Sequence, residues 1–291
     1  MFKTPKDNGY ELLDSGNSMK LERFGDYILV RPEPEALWMP SNTELWDKAN
    51  YIYNKLVKNN WQKDRNSPEK WTTTYGGMDF LIKPTAFKHT GLFPEQLSNW
   101  QYFEKISKNL PAGKQGKKLK VLNLFGYTGG FSMLALKLGH DVVHVDSSQG
   151  VNDWLNQNCK LSNIDTKNLK TITDDVNAFI RRLVKRGEKF DFIVLDPPAF
   201  GHGSKTSELW KIEEDLSNLI ETLGLVLNDK PAGIIISGYA AGYSPETYKN
   251  LLLPFVNVFG GTIEADVMTI EESGKNGRML TVGITARWST K

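Results

Sequence analysis

The sequence predicts an α/β fold in which a doubly wound, mostly parallel sheet follows a small β-rich N-terminal domain. From residue 119 onward, apolar strands alternate with amphipathic helices. The runs 190–195 and 233–237 are apolar except for Asp191 and Ser237, as parallel strands are when helices cover both faces of the sheet. The first hundred residues instead hold five of the eight tryptophans among short strand-like segments, which predicts a separate domain.

The composition is that of a globular chain without a membrane span. Its 291 residues are 40% hydrophobic and 24% charged, and the net charge is +2. No apolar run approaches the ~18 residues of a membrane helix, so no membrane partner is expected. The one cysteine excludes an internal disulfide, a CxxC redox pair and a cysteine zinc site, and a cytoplasmic location is expected. The sequence leaves the oligomeric state open, a homo-oligomer included.

The N-terminal domain reads as strand, hairpin and helix. Residues 27–31 predict a strand that ends at a proline, which has no N–H to donate. Residues 71–83 predict a hairpin around a Gly-Gly turn, and 95–110 predict a helix. The polar Gly/Pro/Lys segment 111–118 then predicts a domain boundary. The two predicted domains are 1–110 and 111–291.

The C-terminal domain predicts strands joined by helices. The predicted strands are 120–126, 141–146, 169–173, 190–195, 233–237, 262–269 and 279–287. Helices lie between them, the last two at about 208–227 and 245–259. The helix that follows the predicted strand 141–146 carries one apolar face, which predicts that its cysteine is buried. The residues of this face are Val151, Trp154, Leu155 and Cys159. A turn joins the last two strands, which predicts an antiparallel last strand in a Rossmann-like sheet.

Ligands bind sheets of this type at the carboxyl ends of their strands. The first such end is the segment 123–131, Asn-Leu-Phe-Gly-Tyr-Thr-Gly-Gly-Phe. Its glycines permit sharp turns and a close approach of the backbone to a ligand. The spacing differs from the dinucleotide pattern GxGxxG, so the loop alone fits a cofactor site and a tight turn equally well.

Carboxylates end the next two strands. Asp146 lies 23 residues after Asn123, about where an acidic residue accepts hydrogen bonds from ribose hydroxyls. Asp174 and Asp175 follow the third strand, where a carboxylate can accept a hydrogen bond from the exocyclic amine of adenine. Each is also a good helix N-cap, and both functions can hold together.

The segment 196–200, Asp-Pro-Pro-Ala-Phe, follows the fourth strand and is the most informative. Two prolines stop the strand and fix the backbone. They would present the Asp196 carboxylate and the Pro197 carbonyl side by side, where two acceptors can hold an amine and orient its lone pair. Phe200 can stack on a planar ring. The alternative is a structural strand terminator with a packed phenylalanine.

In these motifs and their order the sequence resembles class I S-adenosylmethionine-dependent methyltransferases, in particular the branch of bacterial 23S ribosomal RNA methyltransferases with a DPPxF motif. The resemblance spans nearly the whole chain and rests on six segments. These are KLERFGDYILVRPEPEALW (20–38), FKHTGLFPEQ (87–96), LNLFGYTGGFS (122–132), VDSSQ (145–149), DDVNAFI (174–180) and LDPPAF (195–200). RNA-modifying members usually carry an N-terminal PUA domain, for which the residues before Lys20 are too few.

The resemblance implies S-adenosyl-L-methionine as cofactor. By similarity, the cofactor-binding residues would be Gln96, Asn123, Gly126, Tyr127, Thr128, Gly129, Asp146, Ser147, Asp175 and Val176. Cytosine-C5 members attack the ring with a cysteine after strand five, whereas residues 234–240 contain none. The sequence therefore predicts direct methyl transfer to nitrogen or oxygen, with an RNA base of ribosomal RNA as the favoured acceptor. The residues expected to be catalytic are Asp196, Pro197 and Phe200.

Two basic clusters bear on the acceptor. Their members are Lys105, Lys108, Lys114, Lys117, Lys118 and Lys120, and Arg181, Arg182, Lys185, Arg186 and Lys189. They fit a phosphate-contacting surface and ordinary solvated helix faces equally well. His140 and His144 have no third ligand nearby, so no metal site is expected. The alternatives are a methyltransferase of proteins or small molecules, a non-catalytic module with the cofactor fold, and a nicotinamide dehydrogenase.

Overall fold

The computed structural model describes residues 1–109, 118–202, 209–240, 242–274 and 277–290. The chain forms two compact units, 1–98 with 268–282 and 99–267 with 283–291. The division falls at 98/99, whereas the sequence predicts a boundary at 110/111. Most of the predicted linker, 111–117, lies outside the described residues. Composition cannot reveal that 268–282 belongs to the first unit, because that assignment depends on long-range pairing.

The first unit is rich in β-strands. Its strands are β1 (Phe2–Lys3), β2 (Tyr10–Gly16), β3 (Met19–Phe24), β4 (Tyr27–Pro32), β5 (Tyr51–Tyr53), β6 (Trp61–Lys63), β7 (Trp71–Tyr75) and β8 (Met78–Ile82). The short helix α1 (Thr43–Trp46) and two 3-10 turns, Lys58–Asn60 and Pro94–Gln96, lie between or after them. Strands β2 to β6 form one sheet in chain order, and β7 pairs with β8. The predicted strand 27–31 and the predicted hairpin 71–83 are confirmed.

A buried ion pair lies within the five-stranded sheet. Arg31 donates to both carboxylate oxygens of Glu22, at 2.6 and 2.8 Å, and the Tyr10 hydroxyl donates to the same carboxylate at 2.8 Å. Burial alone would raise the pKa of Glu22. The charges of Arg31 and Lys20 and the two hydrogen-bond donors outweigh burial and lower this pKa to about 2.

The second unit is the predicted α/β sheet. Its strands are β9 (Lys120–Leu124), β10 (Asp141–Asp146), β11 (Leu169–Thr173), β12 (Phe192–Leu195), β13 (Phe200–His202), β14 (Leu209–Lys211) and β15 (Gly233–Gly238). Two last strands, β16 (Thr262–Glu271) and β17 (Met279–Ser289), contribute residues to both units. The helices are α2 (Leu97–Lys108), α3 (Gly130–Lys137), α4 (Gln149–Leu161), α5 (Val176–Arg186), α6 (Ile212–Gly224) and α7 (Pro245–Phe259).

The parallel strands have the order β15-β12-β9-β10-β11, and β17 runs antiparallel to β15. The predicted doubly wound, mostly parallel sheet with an antiparallel last strand is therefore confirmed. The predicted helix 208–227 is wrong at its start, because residues 209–211 pair with Phe200–His202 as β14 and the helix begins at Ile212. Among the described residues, no helix is both long and apolar enough to cross a bilayer.

The core of the second unit lies between the sheet and its helices. Central strands contribute Leu122, Ile193 and Ile234, all fully buried. Helix α5 turns Phe179 and Leu183 into the same cluster, as its apolar face predicts. This packing fixes the strands and therefore the positions of the segments that follow them.

Candidate functional site

The register of the sheet brings the ends of four strands together. Leu124 of β9 lies opposite both Val145 of β10 and Leu195 of β12, and Leu195 lies opposite Ile236 of β15. The residues that follow these four positions therefore meet at one edge of the sheet. That edge holds the predicted cofactor loop and the predicted acceptor segment.

The loop after β9 has an unusual backbone. Phe125 and Tyr127 have left-handed φ values of 53° and 49°, and Gly129 has φ 86°. For residues other than glycine this conformation costs ~1–2 kcal/mol each. Hydrogen bonds hold it, since the Gly126 N–H donates to the Val145 carbonyl at 3.0 Å and the Gly129 N–H donates to the Gly126 carbonyl at 3.1 Å. Such strain is characteristic of ligand-binding loops.

Two glycines let this loop lie directly on the elements beneath it. A Cβ on Gly126 would lie 2.3 Å from Cε1 of His144, on β10. A Cβ on Gly129 would lie 2.1 Å from Cδ1 of Leu155, on α4. The sequence predicts a close backbone approach at these glycines, and the structure adds that His144 and Leu155 are what they approach.

Asp146 ties this loop to the start of α4. Its carboxylate accepts the Tyr127 N–H and the Ser148 N–H, each at 3.0 Å. The N-cap of α4 is Ser148, whose Oγ accepts the Val151 N–H. Burial raises the pKa of Asp146, against the lowering effect of the backbone donors. The backbone N–H of Ser147 also donates to this carboxylate, so three of its about four acceptor positions are occupied and one remains for a ligand.

The third strand end lies beside the second. The Asp174 N–H donates to the Asp146 carbonyl at 3.2 Å, and the Asp174 carboxylate pairs with Arg182. Asp175 is the N-cap of α5, because its carboxylate accepts the Ala178 N–H at 2.8 Å. The sequence predicts two functions for Asp175, helix capping and contact with adenine, and this hydrogen bond is the first of them.

The Asp-Pro-Pro-Ala-Phe segment is fixed from one side. The Pro198 carbonyl accepts Nε1–H of Trp210 at 2.6 Å, and the Ala199 carbonyl accepts the Ile212 N–H at 3.1 Å. Phe200 is 64% exposed on β13, so the packed-phenylalanine alternative is wrong.

Sequence reasoning missed a buried polar chain under the loop. Asn123 Nδ2 donates to Ser132 Oγ at 2.8 Å, and Ser132 Oγ lies 2.9 Å from His144 Nδ1. Burial lowers the pKa of His144 to about 4, so the ring is neutral at pH 7. A histidine inside an apolar strand was the available signal. In the described ranges no three His, Cys, Asp or Glu side chains group as a metal site would require.

The other predicted residues are placed as follows. Gln96 ends the 3-10 turn Pro94–Gln96 in the first unit. Thr128 is buried, and its carbonyl accepts Nδ2–H of Asn158 at 3.0 Å. Ser147 lies between Asp146 and the N-cap of α4, and Val176 packs in the core behind Asp175. Cys159 is 1% exposed, and burial raises the pKa of its thiol to about 11.

The described basic residues are mostly paired. Ion pairs join Lys108 to Glu104, Lys118 to Asp141, Lys120 to Glu188, Arg182 to Asp174 and Arg186 to Glu188, and Lys189 donates to the Leu225 carbonyl. Lys114 and Lys117 lie outside the described residues. These pairs favour solvated helix faces over a phosphate-contacting surface.

Comparison with known proteins identifies similar chains. The family model for S-adenosylmethionine-dependent methyltransferases matches residues 53–235. A solved structure of a SAM-dependent methyltransferase from Agrobacterium tumefaciens is 32% identical, with a TM-score of 0.92, over 99% of this chain and 93% of that one.

Two curated relatives are ribosomal RNA methyltransferases by name. Ribosomal RNA large subunit methyltransferase K of Neisseria meningitidis serogroup B is 28% identical over 213 residues, which are 71% of this chain and 59% of that protein. Ribosomal RNA large subunit methyltransferase I of Aeromonas hydrophila is 40% identical over 126 residues, which are 43% of this chain and 30% of that protein. The chain therefore spans less than two thirds of either relative.

Proposed function

The chain belongs to the family of S-adenosylmethionine-dependent methyltransferases, whose cofactor is S-adenosylmethionine, and we propose that it transfers the methyl group directly to a nitrogen or oxygen of an RNA base, with ribosomal RNA as the favoured substrate. The dehydrogenase alternative is wrong, because the family performs methyl transfer. The observation that carries the proposal is the position of the Asp-Pro-Pro segment, beside the cofactor loop at one sheet edge.

The hydrogen-bonding groups at this edge of the sheet fit the cofactor. Asp146 keeps one acceptor position beyond its three backbone bonds, which suits a ribose hydroxyl. Asp175 has a second carboxylate oxygen beside the one that caps α5, and we assign it to the adenine amine. The backbone of the loop from Gly126 to Gly129 would line the methionine part, beside Asn123. Ser147 and Val176 complete the proposed binding set in the second unit, and Gln96, in the first unit, stays a prediction from the resemblance.

When bound, the cofactor supplies an electrophilic methyl group, so the protein mainly has to position the acceptor. Asp196 and the Pro197 carbonyl would accept the two hydrogens of an amine and point its lone pair outward. Asp196 would then take the proton that the nitrogen loses. Holding reactants in line at roughly 3–3.5 Å can account for ~7–11 kcal/mol of barrier reduction. Phe200, exposed on β13, would stack on the ring of the acceptor base.

Cysteine chemistry is not supported by these residues. A thiol nucleophile needs access to the ring and a thiolate at neutral pH. Cys159 is buried on α4, and its pKa is raised to about 11. Direct transfer to nitrogen or oxygen requires no such nucleophile.

The RNA acceptor is supported by the names of the relatives rather than by surface charge. Two curated relatives are named as large subunit ribosomal RNA methyltransferases. The paired lysines and arginines add little, since exposed ion pairs leave no strong positive field. The cytoplasmic location predicted from the sequence is compatible with ribosomal RNA as substrate.

A methyl-transfer assay tests the proposal. Purified enzyme and methyl-tritiated S-adenosylmethionine are incubated with total RNA or total protein from a strain lacking the gene. We expect label in RNA, a loss of at least ~100-fold with Asp196→Asn because the proton acceptor and one amine contact are removed, and normal transfer with Asp153→Asn at an exposed site on α4. Label only in protein would contradict the RNA acceptor, and binding of S-adenosylhomocysteine without any transfer would favour a non-catalytic module.

A further inference from the structure

Tyr248 is a buried polar residue that the proposed chemistry does not use. It lies in the first turn of α7 and has 0% exposure. Its hydroxyl has no hydrogen-bond partner among the described residues. An unpaired buried donor destabilises the native state, and phenylalanine would fill the same space without this cost. The hydroxyl is therefore a candidate for a functional contact.

The hydroxyl lies at the edge that holds Asp196. A Cβ on Gly238, the last residue of β15, would lie 2.0 Å from the Tyr248 oxygen, so the hydroxyl sits directly over this glycine. Strand β15 runs beside β12, with Ile236 opposite Leu195. This pairing ends at Leu195 and Ile236, after which Asp196 follows β12 and Gly238 ends β15, and Asp196 is close enough for its charge to act on the Tyr248 hydroxyl. The hydroxyl is thus next to the proposed acceptor segment.

Burial decides how this hydroxyl can act. Because it has no accessible surface, it cannot touch an acceptor base directly. Burial raises the pKa of Tyr248, and the charges of Asp196 and Tyr243 raise it further. The hydroxyl therefore stays protonated at neutral pH and remains a donor. A turn of the Asp196 carboxylate toward it would supply the partner that it lacks.

We propose that Tyr248 is a positioning residue, whose hydroxyl donates a hydrogen bond to the Asp196 carboxylate when the cofactor site is filled. The inference deepens the proposed function, because it rests on Asp196 as the group that holds the acceptor. The bond would fix the orientation of the carboxylate and favour its ionised form, which is the form that accepts an amine. Gly238 leaves the space in which the hydroxyl lies.

The test is the pKa of Asp196 itself. Protein labelled with 13C at aspartate carboxyls is titrated by NMR with saturating S-adenosylhomocysteine, and Asp196→Asn identifies the resonance. We expect Tyr248→Phe to raise the pKa of Asp196 by about half a unit to one unit, as loss of a neutral donor to a carboxylate should. Gly238→Ala, which displaces the hydroxyl, should raise it similarly. The matched control Tyr243→Phe, at a half-buried ring 6.4 Å from that of Tyr248, should leave it unchanged.

Two further measurements separate positioning from a structural role. Without ligand, Tyr248→Phe should melt at or above the wild-type temperature, and its affinity for S-adenosylhomocysteine should be unchanged. A melting temperature lower by more than about 2 °C would mean that the hydroxyl has a partner in the free protein, and would overturn the proposal. A tenfold weaker affinity would place it on the cofactor and overturn it as well.

The outcomes also separate this inference from the proposed function. If the wild-type enzyme methylates RNA but the pKa of Asp196 is the same in Tyr248→Phe, the inference alone is wrong. If the pKa rises in Tyr248→Phe but the wild-type enzyme transfers no methyl group, the proposed function is wrong and the hydrogen bond stands. In an active enzyme, the acid limb of the kcat profile of Tyr248→Phe should move to higher pH by the same amount, with KM for S-adenosylmethionine unchanged.

Discussion

The Asp146 carboxylate offers the sharpest test of the proposed cofactor site, because it holds the strained loop as well as the proposed ribose. It accepts backbone N–H groups of Tyr127 and Ser148, both at 3.0 Å. In Asp146→Asn one of the two oxygens becomes an NH2 group, which faces a donor and leaves that N–H unpaired. Hydrogen bonds to charged groups are worth ~1.5–3 kcal/mol. In the wild type, the hydrogen bond from the Tyr127 N–H helps to offset the ~1–2 kcal/mol cost of the left-handed backbone at Tyr127. If the variant loses this bond, that cost is no longer offset.

The variant should therefore lose about 2–3 kcal/mol in cofactor affinity, which corresponds to about 30- to 140-fold at 1.4 kcal/mol per factor of ten. Isothermal titration calorimetry with S-adenosylhomocysteine measures it directly. Asp153→Asn is the matched control, since that carboxylate is exposed and accepts only from Gln149 on the same helix. Affinity of Asp146→Asn within about threefold of the wild type, with an unchanged circular dichroism spectrum, would refute the assignment of this carboxylate.

Three other changes test the loop, the ion pair and the cysteine. Gly126→Ala puts a methyl group 2.3 Å from the His144 ring, so the loop must move and affinity for S-adenosylhomocysteine should fall at least ~10-fold; Gly150→Ala, with nothing closer than 4.0 Å, should bind normally in the same calorimetry. Folding lowers the pKa of Glu22 to about 2. The contribution of this ionised carboxylate to the free energy of unfolding is therefore present above pH ~4.5 and is lost as the pH falls toward 2. The urea midpoint should therefore fall over that range, and Glu22→Gln should cost a few kcal/mol at pH 7 and flatten the pH dependence; an unchanged midpoint would contradict the pairing. Cys159, with a pKa of about 11, should not react with a thiol reagent at pH 8 until guanidinium unfolds the protein, and rapid reaction of the native protein would contradict its burial.

The edge of the sheet could be predicted because its strands are unambiguous. The stretches 192–195 and 234–236 within the predicted strands are apolar at every position, and parallel strands end at a common edge. Asp146 ends the predicted strand 141–146 and Asp196 follows 190–195, so both were expected at that common edge. The neighbouring register of β9 with β10 and β12 confirms this placement.

The N-terminal strands could not be predicted in the same way. Strands β2 and β3 carry the buried charges of Asp14 and Glu22, which break the alternation that identifies a strand. Their partners are distant in sequence, since Asp14 pairs with Arg278 and Glu22 pairs with Arg31. No local pattern contains that information. The same holds for Tyr248, whose place beside Gly238 depends on how α7 packs.

The packing of helix α4 indicates that the single cysteine, Cys159, has a structural role and is not a nucleophile. Its buried face contacts the proposed cofactor loop, with Leu155 against Gly129 and with Asn158 Nδ2 donating to the Thr128 carbonyl. Cys159 follows Asn158 on that face and is buried with it. A Cys159 thiolate would be buried and desolvated within α4. Ionising this thiol would therefore destabilise the helix that packs against the proposed cofactor loop. The groups that we propose to engage an acceptor, the Asp196 carboxylate and the Pro197 carbonyl, are instead oxygen atoms that accept hydrogen bonds, as the proposed direct transfer requires.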